Sequence, residues 1–197
     1  DEPARTPVDA LVKVMKPAAT RPTDLLPAWA GLPIAALVVF SLLSGVAGGL
    51  IRAGVPLFQL MPARWVLPTA SLHAALMIGG LLGTVISIER AVALRRRWAW
   101  LSPLMSASAA LALVGGNMLL GLWLNLLASA IFLLVNLALW LRQRAWHTTL
   151  LCLSAVVWLL GNLTFFQHGL QTQTLLAWLA FLIITIVAER LDMARLT

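Results

Sequence analysis

The stretch SLHAALMIGGLLGTVISIERAVALRRRWAW, residues 71–100, decides the fold class. It has a histidine at its third position, continues through residues 74–88 without a charge, and then reaches Glu89, Arg90 and three consecutive arginines. A helix needs about 20 apolar residues to cross roughly 30 Å of hydrocarbon. The stretch therefore predicts a membrane-spanning helix that ends at a basic interface.

The whole chain has the composition of an integral membrane protein. Of its 197 residues, 61% are hydrophobic and 11% are charged, and the mean hydropathy is +0.93, whereas a soluble domain has about 25% charged residues. The net charge of +7 comes from short basic clusters between apolar spans. Such clusters are typical of cytoplasmic loops rather than of nucleic-acid binding. We therefore expect the lipid bilayer as a partner and no nucleic acid.

Six segments are long and apolar enough to span. They predict an all-α polytopic bundle of six transmembrane helices, at residues 28–51, 67–92, 99–121, 123–141, 147–166 and 173–191, with a tight turn at GLWLN (121–125). The connection PLFQLMPARW is too short to span and is expected along the membrane surface. Residues 1–26 contain four acids, four bases and four prolines. They predict an exposed cytoplasmic segment before a transmembrane domain over 27–197.

The basic residues sort strongly to one side of these spans. A cytoplasmic amino terminus places twelve Lys and Arg residues on the cytoplasmic side, against Arg52 and Arg64 on the other. This asymmetry predicts that both termini are cytoplasmic. His73 and His168 then lie toward the opposite face, and His147 lies on the cytoplasmic side.

A short internal sequence repeat occurs at the ends of the second and sixth predicted helices. ISIERAVALR and IVAERLDMAR repeat Glu-Arg-x4-Arg at a period of 100 residues, which suggests a duplicated four-helix unit. Carboxylates near hydrocarbon normally pair with cations. We expect reciprocal structural pairs, Glu89 with Arg190 and Glu189 with Arg90, that clamp the two helices. The alternative is a proton entry point, or a contact with a lipid headgroup or quinone.

His73 is the leading candidate ligand. It lies four residues before Met77, so a helix places both side chains on one face. A neutral imidazole can ligate haem iron or copper, and a thioether can ligate or pack beside it. His168 is the candidate opposing ligand because it is predicted at the same membrane face. The alternative is a packed imidazole that hydrogen-bonds to a carbonyl or to water.

At these residues a family resemblance emerges. HAALMIGGLLGTVISIERAVAL and the closing FLIITIVAERLDMARL resemble the amino-terminal part of bacterial polytopic membrane proteins of the NnrS family. The resemblance implies a haem- and copper-containing protein of the bacterial inner membrane, linked to nitric oxide stress. The pattern of His73 and Met77 is also similar to a segment of the haem-copper oxidase catalytic subunit whose histidine ligates a low-spin haem. Together they favour haem b over copper at His73.

Two functions from different classes remain open. The chain has three histidines, too few for an oxidase active site, so further ligands are expected from a missing carboxy-terminal half or another membrane subunit. The first function is a haem- or metal-binding electron-transport subunit of a respiratory or nitrogen-oxide-response complex, without catalysis of its own. The second is a cofactor-free accessory or scaffold subunit. A transport path through Asn117, Asn136 and Asn162 is a weaker third, because membrane asparagines more often bridge helices.

Overall fold

The structure is a computed structural model that describes residues 28–57, 60 and 62–194, and all regular secondary structure in that part is helical. The described chain contains seven α-helices: α1 (Ala28–Arg52), α2 (Ala63–Ser71), α3 (Thr84–Leu94), α4 (Leu101–Val114), α5 (Met118–Arg142), α6 (Trp146–His168) and α7 (Thr172–Met193). A π-helical segment, Ala75–Gly83, lies between α2 and α3, and a 3-10 turn, Arg97–Trp100, precedes α4. The all-α prediction is confirmed. The prediction for residues 1–26 lies outside the described residues.

Five helical stretches in the described chain have the length and apolar composition to cross a membrane. They are Gly31–Arg52, Ala75–Leu94, Met118–Arg142, Trp146–His168 and Thr172–Met193. Large apolar side chains cover their outer surfaces, among them Leu43 on α1 and Ile183 on α7, which are 63% and 61% exposed. These features indicate a multi-pass membrane protein whose outer surface contacts lipid.

The prediction of a turn at GLWLN is wrong, because residues 121–125 lie inside α5. The chain reverses earlier, where Gly116 adopts a φ of +85° and the Asn117 side chain accepts a hydrogen bond from the Leu120 amide at 3.2 Å. Glycine tolerates a positive φ and asparagine caps a helix well. Gly121 instead serves packing, since a Cβ there would lie 2.5 Å from the Leu113 side chain.

Two pairs of neighbouring elements pack antiparallel: α4 with α5, and α1 with the stretch from α2 through the π-helical segment. Along α4 and α5, Leu113 lies beside Gly121 and the Ser102 hydroxyl donates to the Ala128 carbonyl at 2.9 Å. Along α1 and the α2–π-helical stretch, a Cβ on Gly48 would lie against the Thr69 carbonyl. A Cβ on Gly45, which precedes Gly48 on α1, would lie against Met77, which follows Thr69. Because an earlier residue of α1 meets a later residue of its partner, the two stretches run antiparallel.

Three contacts bring four helix ends to one end of the bundle. Arg142 Nη1 donates to the Leu94 carbonyl at 3.1 Å, joining the ends of α5 and α3. Arg90 contacts Glu189 at 3.4 Å, and His147 contacts Asp192 at 3.4 Å, which adds the end of α7 and the start of α6. We call this the arginine-rich end, since it carries Arg90, Arg95, Arg96, Arg97, Arg142, Arg144 and Arg190.

The interior between α5, α6 and α7 is aromatic, with one polar bridge. Trp158 stacks on Phe181 with ring centroids 5.0 Å apart and an interplanar angle of 11°. Asn162 donates to the Asn125 carbonyl at 3.1 Å and accepts from Trp178 Nε1 at 3.0 Å. Asn162 therefore bridges three helices, the role that asparagine commonly has in membranes.

Candidate functional site

The second membrane-crossing stretch begins with a π-helix. Its glycines bring neighbouring elements very close: a Cβ on Gly80 would lie 2.8 Å from Ala110 of α4, and one on Gly83 would lie 2.6 Å from Trp158 of α6. The Gly79 carbonyl accepts a hydrogen bond from Ser106 at 2.7 Å. π-Helical turns leave backbone groups for such side-chain partners and are frequent at functional sites. Here the glycines allow side chains of other helices to approach the backbone closely.

His73 lies just before this π-helical segment and faces α1. Its Nδ1 is 2.8 Å from the carbonyl oxygen of Gly45. A carbonyl only accepts hydrogen bonds, so Nδ1 carries the proton and donates it. In the neutral ring the lone pair then lies on Nε2, the atom left to bind a metal or another donor. Gly49 makes room for the ring, since a Cβ there would lie 3.1 Å from His73 Cε1.

Met77 contacts the same region of α1. A Cβ on Gly45 would lie 2.5 Å from Met77 Sδ, so the thioether packs directly over the glycine whose carbonyl accepts from His73. His73 and Met77 therefore share one environment, which is built by α1 glycines and is partly buried.

His168 is the last residue of α6 and its side chain is exposed. The following Gly169 has a φ of +73° and ends the helix. Among residues 28–57, 60 and 62–194, no three His, Cys, Asp or Glu side chains form a group that could hold a metal ion.

Arg90 is the hub of the arginine-rich end. Its Nη2 donates to Glu89 Oε1 and lies 3.4 Å from Glu189 Oε1, and its side chain is only 13% exposed. Within residues 62–194, no ion pair joins Glu89 to Arg190. One guanidinium thus holds two carboxylates where the sequence predicted two separate pairs.

A second pair lies beside this hub. His147 Nε2 is 3.4 Å from Asp192 Oδ1, and the His147 side chain is 6% exposed against 56% for Asp192. Asp192 follows Glu189 by three residues, which is nearly one helical turn, so both carboxylates lie on one face of α7. The arginine-rich end therefore gathers acids and bases from α3, α5, α6 and α7.

A comparison with known families assigns the chain to a group. A family model described as Domain of unknown function (DUF8744) matches residues 31–197. The chain belongs to the DUF8744 family. No match was found among curated proteins or among solved structures. The DUF8744 region contains both the His73 environment and the arginine-rich end, so both are parts of the family domain.

The sequence placed the charged residues and His147 of this DUF8744 chain at one end but did not connect Arg90 with three side chains that line one cavity with it. His147, Asp192 and Asn136 come from three different helices, so no local motif connects them. The information that could have connected these residues is the order and direction of the helices. With the helix order and directions known, the start of α6 and the ends of α5 and α7 must meet.

Proposed function

We propose that this DUF8744 chain is a haem-binding subunit of a respiratory or nitrogen-oxide-response membrane complex, with His73 as an axial ligand. The observation that carries this proposal is the 2.8 Å hydrogen bond from His73 Nδ1 to the Gly45 carbonyl. Ligating histidines almost always donate their second ring N–H to a carbonyl or carboxylate, which fixes the ring orientation and the tautomer. Here that bond leaves Nε2 as the ligating atom.

The donor set fits haem better than copper. His73 supplies one imidazole, and Met77 lies over the same α1 glycine, whereas the described residues contain no group of three metal-binding side chains. Haem iron is held by one or two axial ligands. The second ligand is His168 or a residue of a partner subunit. A bound haem would supply one-electron transfer, and the chain would hold and orient it.

We also propose six crossings with both termini in the cytoplasm. The contact between Arg142 and the Leu94 carbonyl supports this proposal, because it brings the ends of α3 and α5 to one level and a crossing by α4 would return α5 to that level. α4 makes the outward path, antiparallel to α5. With its 3-10 turn, residues 97–114 extend about 29 Å, close to the hydrocarbon thickness. The two Glu-Arg motifs meet at Arg90, and this common position at one end of the bundle supports the proposal that they descend from a duplicated unit.

Absorption spectra of the purified protein test the haem proposal. We expect a Soret band that His73→Ala abolishes and His147→Ala leaves in place, since His147 lies at the other end of the bundle. His73→Asn keeps a donor at the position of Nδ1 for the Gly45 carbonyl but cannot ligate, so it separates ligation from packing. His73→Gly should regain the band with added imidazole. A protein without haem when purified from haem-replete cells contradicts the proposal.

The scaffold function is the second proposal, and one observation favours it. The His73–Gly45 bond is one of the contacts that join α1 to the rest of the bundle, and α1 also presents large exposed apolar side chains such as Leu32 and Leu43. In a scaffold, His73 would be a structural clamp and the protein would be colourless. His73→Asn would then keep the melting temperature near that of the wild type, while His73→Ala would lower it.

Cysteine labelling tests the topology. In a Cys152→Ser background, Arg64→Cys and Gln167→Cys should react with a membrane-impermeant reagent added outside intact cells. Arg96→Cys should react only after permeabilisation. If α4 does not cross, α5 and α6 reverse direction and Gln167→Cys becomes protected. Protection at position 167 combined with reaction at position 64 therefore overturns the six-crossing arrangement.

A further inference from the structure

Three adjoining cavities lie at the arginine-rich end. The first has a volume of about 290 Å³, and its polar lining comes from Arg90, Asn136, Arg142, Gln143, His147, Thr148 and Asp192. The second, of about 180 Å³, is lined by Glu89, Glu189 and Met193 together with Arg90, Leu151 and Asp192, which it shares with the first. The third, of about 430 Å³, shares His147 with the first. Shared lining residues make the three cavities neighbours.

Two buried polar groups beside the first cavity have no partner among the described residues. Asn136 is 1% exposed, and although its Nδ2 donates to the Phe132 carbonyl at 2.9 Å, its Oδ1 accepts nothing. Arg90 Nε, a donor, is also buried and unpaired. A buried donor or acceptor without a partner destabilises a protein. A ligand that carries both a donor and an acceptor would relieve both once side chains of the cavity wall shift, because the two atoms are themselves closed off from solvent.

The first cavity is lined mainly by positive side chains and the second mainly by negative ones. The guanidiniums of Arg90 and Arg142 line the first, and Arg142 uses Nη1 for the Leu94 carbonyl, which leaves further N–H donors. The carboxylates of Glu89 and Glu189 line the second, and Asp192 lines both. An anionic group is favoured on the guanidinium side and a cationic group on the carboxylate side. The ligand that this division fits is a zwitterion.

We propose that these cavities bind a phosphoethanolamine group, the headgroup of phosphatidylethanolamine. Its phosphate oxygens would accept from Arg142 and from Arg90 Nε, in the charge-assisted geometry that arginine provides for phosphate. Its ammonium has three N–H donors. They would reach Asn136 Oδ1 and the carboxylates of Asp192 and Glu189.

The third cavity indicates that the headgroup belongs to a lipid. Apart from Arg144 and His147 it is lined by Ala145, Trp146 and Leu191, and Trp146 is 84% exposed. Exposed tryptophan at a helix end is typical of the membrane interface, where its ring lies at headgroup level. This cavity provides an apolar path for the glycerol and the first part of the acyl chains, next to the polar site. A soluble phosphoethanolamine would leave this path empty.

Thermal stability of the delipidated, detergent-solubilised full chain tests this assignment. Defined lipids are added back: phosphatidylethanolamine, phosphatidylglycerol, which lacks the ammonium, and phosphatidylcholine, whose nitrogen has no N–H. We expect the largest rise in melting temperature with phosphatidylethanolamine, and an apparent affinity about tenfold above that of the other two, as one charge-assisted hydrogen bond supplies. Equal rises with all three lipids, or an equal rise with phosphatidylglycerol, overturn the proposal.

Matched variants connect the selectivity to the cavities. Arg142→Gln should weaken phosphatidylethanolamine binding about tenfold, whereas Arg96→Gln removes the same charge from an exposed arginine that lines none of the cavities and should leave binding unchanged. Asp192→Asn is isosteric and leaves the Arg142–Leu94 contact intact. It should reduce the preference for phosphatidylethanolamine over phosphatidylglycerol even if Arg142→Gln does not fold. An unchanged preference in Asp192→Asn contradicts the proposal.

Free phosphoethanolamine distinguishes the source of the headgroup. At equal concentration it should protect at least tenfold less than the lipid, because it gains nothing from the apolar third cavity. Equal protection would retain the headgroup chemistry of the site and would overturn its assignment to a lipid.

Discussion

Replacing Gly48 with alanine should push α1 away from α2. A Cβ at this position would lie 2.2 Å from the Thr69 carbonyl oxygen and 3.0 Å from its carbonyl carbon. Non-bonded heavy atoms are attractive near 3.5 Å, so relief of the overlap needs a displacement of about 1 Å. The clashing atom belongs to the backbone and cannot rotate away. Overpacking of this kind costs about 1–3 kcal/mol, and the better helix propensity of alanine returns up to about 1 kcal/mol. We therefore expect a net loss of about 1–2 kcal/mol.

Two glycines on the same helix provide matched controls. A Cβ on Gly31 meets no atom of residues 28–57, 60 or 62–194 within 4 Å, so Gly31→Ala should be neutral or slightly stabilising. A Cβ on Gly45 meets Met77 Sδ at 2.5 Å, but a methionine side chain can change rotamer. Gly45→Ala should therefore fall between the other two. The order of stability follows from which atom each methyl group meets.

The stabilities are measured by unfolding the variants in mixed micelles with increasing SDS, followed by circular dichroism. Tryptophan fluorescence gives a second signal, because Trp65 of α2 packs edge-on against Phe40 of α1 with ring centroids 6.3 Å apart. A Gly48→Ala protein as stable as Gly31→Ala would refute the close approach of α1 and α2.

Two further predictions concern buried polar groups. Trp178→Phe should be more destabilising than Trp158→Phe by about 1 kcal/mol in the same SDS titration. The reason is that Trp178 Nε1 donates to Asn162, while Trp158 Nε1 has no partner among the described residues. Equal losses of stability would argue against the Asn162 bridge. Arg90→Gln should lower stability by about 1–3 kcal/mol, because it leaves two carboxylates near each other without their cation. The added change Glu189→Gln should restore part of that loss, and a double variant weaker than Arg90→Gln alone would contradict the shared ion pair.

Hydropathy predicted most of the helices because lipid exposure requires long apolar segments. The ends of α1, α6 and α7 lie close to their predicted positions for this reason. The α4–α5 boundary was missed because the residues on both sides of the turn are apolar, so hydropathy does not fall there. The useful signal was local turn chemistry at Gly116 and Asn117.

The π-helical segment could not be predicted from the sequence for a different reason. An apolar run with three glycines has no periodicity that separates i→i+4 from i→i+5 hydrogen bonds. What selects the π register is the close packing of Gly79, Gly80 and Gly83 against side chains from four other helices. Those contacts exist only after the bundle has formed.

The charged end was predictable in its position but not in its pairing. The charge asymmetry and the repeated Glu-Arg motif indicated that Glu89, Arg90 and Glu189 would meet. Which carboxylate meets which guanidinium depends on the rotation of α3 and α7 about their axes, and the observed rotation gives Arg90 both carboxylates. The unpaired oxygen of Asn136 depends on the same packing and has no sequence signal.

The two proposed sites lie far enough apart to be tested independently. His73 and Arg90 are separated by about 25 Å along one nearly continuous helical stretch, at 1.5 Å per residue. A headgroup at Arg90 therefore cannot touch a haem at His73, and any link between them would have to pass through the π-helical segment. His73→Asn should leave the phosphatidylethanolamine preference unchanged, and Asp192→Asn should leave the Soret band unchanged. If each variant instead abolished both signals, loss of the fold would explain the result, and neither site assignment would have support from it.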